Sequence, residues 1–372
     1  MSRVALVHDW LTGLRGGERV LEQLCLLYPD ADVFTLLHVP GASGPIIERH
    51  RITSSFLQKL PFAATRYRNY LPIFPLAIER LDLSGHDLVI STSHAVAKGC
   101  RPAPGALHVS YVHTPMRYVW DQFEAYFGPG RAGLLTRAAA HLVAPMLRRW
   151  DVASTSRAHG LIANSNFVAE RCRRLWKREV DAVVYPPVDV ESFRPAASRD
   201  EIEPWALIVS ALVPYKFVDV AVRAFNRAGR RLVVAGDGPE LSRLRALAGP
   251  TVELRGAVSF EELQRLYRRA SFFILPGEED FGIAPVEAQA SGRPVLALGR
   301  GGALETVIAG QTGAFFAEPS EESLLAALPE IDRLAREADP AVIRQNALRF
   351  AAPRFGSEVS GVIERIRART RS

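Results

Sequence analysis

Two consecutive doubly wound α/β domains are the fold class this sequence predicts. Short apolar runs alternate with helix-length amphipathic runs throughout, the alternation restarts after a Pro-rich break near residue 190, and 372 residues exceed what one core usually holds. In the first half the expected strands are 4–8, 32–37, 88–92, 108–112, 160–163 and 182–185, with helices such as 18–27 and 167–175 between them. The break runs from Tyr185-Pro186-Pro187-Val188-Asp189 to Arg194-Pro195 and reads as a linker. It separates a first Rossmann-like domain, 1–188, from a second, 189–372, whose last helix is free to pack back on the first. The second half restarts with strands 206–210, 231–235, 251–254, 271–275, 294–298 and 314–316. Two facing sheets of this kind leave an interdomain cleft, and ligands collect at the carboxyl ends of the strands.

Composition narrows the class. With 48% hydrophobic and 23% charged residues the chain reads as globular, not disordered. Cys25, Cys100 and Cys172 are odd in number and lack C-x-x-C spacing, so free thiols in a reducing compartment are expected. Neither a secretory h-region nor an apolar run of ~18 residues is present, which points to the cytoplasm. The net charge of +6 arises wholly in residues 1–190, which hold 22 Lys+Arg against 16 Asp+Glu, while the rest balance at 24 each. Residues 49–80 interleave Arg66, Arg68 and other cations with Tyr67, Tyr70 and Phe74, and a second basic stretch includes Arg148, Arg149, Arg171, Arg173, Arg174, Lys177 and Arg178. Such stretches suit an anionic membrane surface or are simply solvated helix faces. No helix-turn-helix, RNP or zinc pattern accompanies the charge, so nucleic acid is not an expected partner.

Candidate chemistry falls at strand ends. The first strand runs into Asp9-Trp10-Leu11-Thr12-Gly13-Leu14-Arg15-Gly16-Gly17-Glu18, where Gly16 and Gly17 allow a backbone to approach a phosphate or form a flexible turn. His113 ends the strand 108–112 and leads into Thr114-Pro115-Met116-Arg117-Tyr118-Val119-Trp120; it can bond a sugar hydroxyl or serve structure, and Arg117 and Trp120 can face an acceptor or pack. Lys216, in Ala211-Leu212-Val213-Pro214-Tyr215-Lys216, places a point charge suited to a leaving diphosphate, or an ordinary surface cation. Gly236-Asp237-Gly238-Pro239 resembles a Rossmann turn without its third glycine. Asp30-Ala31-Asp32 matches D-x-D but precedes a strand, so it is set aside.

The densest segment is Glu279-Asp280-Phe281-Gly282-Ile283-Ala284-Pro285-Val286-Glu287. Pro285 suits the first helical position, so a helix is expected to open near Ala284. Its free N–H groups, with those of Gly282 and Ile283 beside Phe281, form a pocket for a diphosphate. Glu279 precedes the pocket and Glu287 is expected in the first turn, where acceptor-only carboxylates suit sugar and ribose diols. A plainer reading makes Glu287 a helix-dipole partner and Glu279 a solvated acid. The loop Gly299-Arg300-Gly301-Gly302-Ala303-Leu304-Glu305 either approaches the ligand or ends in a capping Glu305.

Taken in order, the glycine loop, His113, Val213-Pro214-Tyr215-Lys216, Gly236-Asp237-Gly238-Pro239 and the Glu279/Glu287 pair resemble glycosyltransferase family 4, retaining enzymes of the GT-B fold. His113-Thr114-Pro115 with Arg117-Tyr118 and Trp120 is most similar to bacterial mannosyltransferases that extend O-antigen or exopolysaccharide chains. The resemblance implies that Glu279 touches donor sugar hydroxyls, Glu287 the ribose, Lys216 the diphosphate, Gly17 the phosphates, His113 the transferred sugar, and backbone at Val258-Ser259 the base. It implies no cofactor and no metal, a nucleotide-sugar donor such as GDP-mannose, and a glycan or lipid-linked acceptor at the inner membrane face. Where many relatives carry an arginine this chain has Ala211, leaving Arg15 or another cation to substitute. A UDP-sugar transferase, a GT-B epimerase acting on UDP-N-acetylglucosamine and a non-catalytic nucleotide-sugar binder are the competing expectations.

Overall fold

The computed structural model describes residues 3–128 and 133–371. Contacts divide it into two units, one of residues up to Pro187 together with those from Pro353 onward, the other Val188–Ala352. In the first unit the strands are β1 (Val4–His8), β2 (Asp32–Thr35), β3 (Ile52–Ser54), β4 (Leu88–Ser93), β5 (Leu107–Val112), β6 (Gly160–Ala163) and β7 (Ala182–Val183). They form one sheet in the order β3-β2-β1-β4-β5-β6-β7 in which every pairing is parallel. Strands β4 and β5 are buried along their whole length, as a sheet covered on both faces requires. The edge strand β3 has no sequence expectation behind it, because three half-buried residues make no apolar run.

One face of this sheet is covered by the helix Gly16–Leu27 and the last helix, Ala352–Arg371, whose Phe355, Val359, Val362, Ile363 and Ile366 join the core of Leu6, Leu21, Ile90 and Val109. On the other lies a cluster containing Trp10, Tyr67, Phe74 and Leu147. Tyr67 is therefore core, and Tyr70 is half-buried with its hydroxyl donating to the Pro61 carbonyl at 2.8 Å. Of the basic-aromatic stretch, Phe62 and Leu76 reach solvent instead. Much of the second basic stretch is internally paired: Arg171 is buried against Asp121 and Thr114, and Arg178 donates to the Thr155 and Ala158 carbonyls.

The second unit contains β8 (Trp205–Val209), β9 (Arg231–Ala235), β10 (Val252–Gly256), β11 (Phe272–Leu275), β12 (Val295–Leu298) and β13 (Gly313–Phe316), ordered β10-β9-β8-β11-β12-β13 and parallel throughout. The helices Val218–Ala228 and Glu321–Glu337 pack on it through Ala221, Phe225, Leu324 and Ile331. Strand order reverses between β1 and β4 in the first sheet and between β8 and β11 in the second, so each sheet splays its flanking loops apart there. All three cysteines are buried and outside any disulfide, and burial pushes the Cys25 and Cys100 thiols up to about 12, which leaves those two unreactive. Among the described residues no helix is long and apolar enough to cross a membrane.

Candidate active site

In the second unit, the reversal point brings Lys216 and Glu279 together. Lys216 follows β8 in a short 3-10 turn, Pro214–Lys216, and Glu279 follows β11. Their side chains form an ion pair in which Lys216 is buried and Glu279 half-buried. Gly277 permits the approach, since a Cβ there would lie 2.8 Å from Lys216 Cα and 2.9 Å from its carbonyl oxygen. The next residue, Phe217, holds the left-handed region at φ 50, an outlier for a bulky side chain that fixes the end of the lysine turn.

The helix opens one residue earlier than expected, as Ile283–Ala290, with Gly282 at its N-cap and φ 91. Pro285 is thus its third residue, where it still needs no intrahelical donor, and Glu287 lies in the second turn instead of the first. Glu287 remains beside the mouth and is held by the Tyr267 hydroxyl at 2.9 Å. Gly282 supplies the backbone turn that exposes the Ile283 end, and Phe281 is buried with its ring 5.3 Å from Phe350. Gly302 packs on Phe281, its N–H donating to the Glu279 carbonyl at 2.8 Å, so the Gly299–Gly302 loop buttresses the segment that carries Glu279. Gly302→Ala would drive a Cβ into Phe281 backbone atoms. It is expected to cost about 1–3 kcal/mol in thermal melts; an unchanged Tm would contradict the buttress.

The Gly236–Gly238 turn has a packing role. A Cβ on either glycine would collide with backbone at Ser210 or Leu212, and the Leu212 N–H donates to the Asp237 carbonyl at 2.9 Å, so this turn steadies the loop leading to Lys216. Ser259 caps the helix Phe260–Arg269 by accepting from the Glu262 N–H at 3.2 Å, and Val258 beside it is half-buried. Ala211 is exposed and offers no cation.

In the first unit, the ends of β1, β4 and β5 converge on a histidine cluster. Gly16 and Gly17 are the first two residues of their helix, and a Cβ on Gly17 would lie 3.4 Å from His8 Cε1 and 3.6 Å from His113 Nε2. The His8, His94 and His113 ring centroids are 5.6 to 6.5 Å apart. His8 Nδ1 bonds Thr92 Oγ1 at 2.6 Å, while its Nε2 is 3.9 Å from Glu18 and makes no hydrogen bond. His113 Nε2 is likewise buried without a partner. Asp9, fully buried, accepts from the backbone N–H groups of His94, Ala95, Val96 and Ala97 at 2.6 to 2.9 Å and meets His94 Nδ1 at 3.2 Å. Burial would raise its carboxyl, but the histidine charges and these amides outweigh burial and lower it. His8, Asp9 and His94 are site members that sequence reasoning passed over; their signal is the placement of polar residues at the ends of two apolar runs.

Arg117 is half-buried in the loop after β5. Trp120 is committed to structure, its indole N–H donating to buried Asp151 at 2.8 Å. Asp32 opens β2 and accepts from Arg3 at 3.1 Å and His86 at 2.9 Å, as a structural acid does. Among the described residues no group of histidine, cysteine and acidic side chains has the arrangement of a metal site.

Burial, then neighbouring histidine charge, holds His113 down at about 3, and burial holds His108 down at about 4. Both are neutral at physiological pH, so His113 acts as a hydrogen-bonding group, not a cation. Unfolded histidine protonates near 6.5, so below that the unfolded chain binds more protons. Stability should be complete above about pH 6.5 and fall on acidification by about 1.4 kcal/mol per pH unit for each histidine. Denaturant midpoints between about pH 7 and about pH 5 check this, and a flat profile would contradict it.

Against known proteins, residues 14–192 match the description "Glycosyltransferase Family 4" and residues 189–347 match "Glycosyl transferases group 1". The chain is 36% identical over 184 residues to a D-inositol 3-phosphate glycosyltransferase of Nocardia farcinica, covering 42% of this chain and 41% of that protein. It is also 36% identical over 155 residues to a GDP-mannose-dependent alpha-(1-6)-phosphatidylinositol monomannoside mannosyltransferase of Mycobacterium tuberculosis, covering 34% and 40%. The matched part spans about two fifths of the length of these curated relatives. Among solved structures, sucrose-phosphate synthase from Thermosynechococcus elongatus superposes with TM-score 0.73 at 18% identity, covering 99% of this chain and 100% of that one. The Anabaena protein HepE, solved with UDP and glucose, gives 0.68 at 17%, covering 97% and 99%. With two parallel-sheet units of the GT-B type and the two matches spanning both halves, the chain belongs to glycosyltransferase family 4.

Proposed function

We infer that this protein transfers a hexose, mannose from GDP-mannose, with retention of configuration to a hydroxyl of a lipid-linked or polysaccharide acceptor. The observation that carries the reading is the Lys216–Glu279 pair at the reversal point of the second sheet, beside the amide-bearing mouth at Phe281, Gly282 and Ile283. A diphosphate entering that mouth draws the Lys216 ammonium, and Glu279, relieved of its partner, accepts from donor-sugar hydroxyls. Glu287, oriented by Tyr267, accepts from the ribose. As the glycosidic bond breaks, Lys216 and the helix amides stabilise the charge growing on the diphosphate, whose oxygen takes the proton of the attacking hydroxyl.

Support for mannose comes from the mycobacterial relative, named as GDP-mannose-dependent. Donor-hydrolysis assays with GDP-mannose, UDP-glucose and UDP-N-acetylglucosamine in parallel test it; preference for a UDP-sugar refutes mannose. The Nocardia relative favours a second acceptor, a soluble inositol phosphate, and transfer to that compound but not to a lipid-linked glycan would establish it.

The reading places the enzyme in the cytoplasm, at the inner face of the membrane. The helix Leu134–Ser154 supports this: Leu135, Leu142 and Met146 are exposed on one face together with Arg149. Flotation with anionic vesicles is expected to carry the protein, and Leu135→Glu with Leu142→Glu to leave it behind. Equal recovery with neutral vesicles would count against the membrane.

A further inference from the structure

Asp9 and His94 stand at the reversal point of the first sheet, each the first residue beyond its strand, β1 and β4. Four backbone amides in the turn after β4 clamp the Asp9 carboxylate, so its position is fixed before any ligand arrives. Its Oδ2 lies 3.2 Å from His94 Nδ1, and among the described residues no other side chain pairs with this imidazole. The Trp10 and His94 rings meet edge to face with centroids 4.4 Å apart, which fixes the plane of the imidazole. The three clustered histidines differ in access. His8 is fully buried and His113 Nε2 is sealed from solvent, whereas the His94 side chain is 25% exposed.

A neutral imidazole with one nitrogen beside a carboxylate keeps its proton there, which leaves the other nitrogen to accept. Removal from bulk water outweighs the Asp9 charge and keeps His94 below its ordinary range, so the ring is neutral at physiological pH. Nε2 therefore carries a lone pair with no partner inside the cluster. Resting on the hexosyl-transfer reading above, we propose that His94 binds the glycosyl acceptor, its Nε2 taking a hydrogen bond from an acceptor hydroxyl while Asp9 holds the ring from behind. The chemistry of the bound group follows. A hydroxyl has a proton to give, whereas an ionised phosphate or carboxylate has none and would face Asp9 and Glu18, two buried carboxylates of the same cluster. His94 thus reads a neutral polyol part of the acceptor. The hydroxyl it holds is not the attacking one, whose proton goes to the diphosphate, so the acceptor presents a second hydroxyl beside the reacting one.

The whole chain is assayed with GDP-mannose and methyl α-D-mannopyranoside, a neutral acceptor, and transfer is measured against donor hydrolysis. His94→Phe keeps a flat ring against Trp10 but has no accepting atom. It is expected to raise KM for the mannoside about tenfold and to lower the transfer-to-hydrolysis ratio as much, with the loss in KM and not in kcat. His94→Gln, whose Oε1 reaches the place of Nε2, should recover most of that loss, which a purely structural histidine would not predict. Long-range nitrogen NMR of histidine-labelled protein should find the His94 proton on Nδ1, the signal being assigned by its absence from His94→Phe. That measurement needs no substrate, so it decides the proposal even if neither hydrolysis nor transfer occurs and the donor reading fails. A proton on Nε2, hydrolysis without any transfer to the mannoside, an unaltered ratio in His94→Phe, or a His94→Gln variant no better than His94→Phe would overturn the proposal.

Discussion

Lys216→Met is expected to reduce turnover by a factor of about 100 to 1,000, with a smaller loss of donor affinity. Methionine keeps the length and apolar stem of a side chain that is only 7% exposed, so the fold around it should persist. What disappears is the point charge that, in the proposed reaction, meets the departing diphosphate. Glu279 then keeps its carboxylate but faces the diphosphate without a cation between them, so electrostatic repulsion deepens the defect. Steady-state kinetics with GDP-mannose, alongside circular-dichroism melts, separate chemistry from stability. Turnover within a few-fold of the parent at unchanged Tm would remove Lys216 from the reaction.

Lys98→Met should destabilise the first unit by about 3–5 kcal/mol, the usual result of leaving one member of a buried ion pair alone. Lys98 meets Asp151 at 2.8 Å with both residues buried, and its ammonium lies 5.0 Å and 4.9 Å from the Trp150 and Trp176 ring centres. Asp151 also accepts from the Trp120 and Trp176 indoles at 2.8 and 2.7 Å. Three tryptophans are thus gathered round one charge pair, which joins the loop after β5 to the helices Leu134–Ser154 and Asn166–Trp176. Because an amide oxygen still accepts from the indoles, Lys98→Met with Asp151→Asn should be less damaging than Lys98→Met alone. Urea denaturation of both variants measures this; a double variant no more stable than Lys98→Met would mean that the two charges do not depend on each other.

Both sheets were readable from residue pattern because parallel strands buried on two faces produce continuous apolar runs, as in β4, β5, β9 and β11. Strand β3 was not, since Ile52–Ser54 is an edge held by register with β2 and not by hydrophobicity. The acidic loop after β11 was legible because local chemistry announces it: an apolar strand, a glycine and a proline near a helix start. Its helix begins at Ile283 because Gly282 can adopt φ 91, and this one-residue shift moves Glu287 out of the first turn. The Asp9 clasp was invisible for a different reason. Its four donors lie 85 to 88 residues away, and only the adjacency of β1 and β4 brings them together. Sequence spacing carries no record of strand order, so His94 and Asp9 do not look like partners until the sheet is known. Trp120 shows the converse, a residue in a functional stretch whose indole is spent on a buried acid.

A crystal structure with GDP-mannose bound tests the central claim most directly. The account predicts diphosphate density against the Gly282 and Ile283 amides, Lys216 Nζ turned from Glu279 onto a phosphate oxygen, and Glu279 facing the sugar. Nucleotide density elsewhere, with the Lys216–Glu279 pair intact, would contradict it.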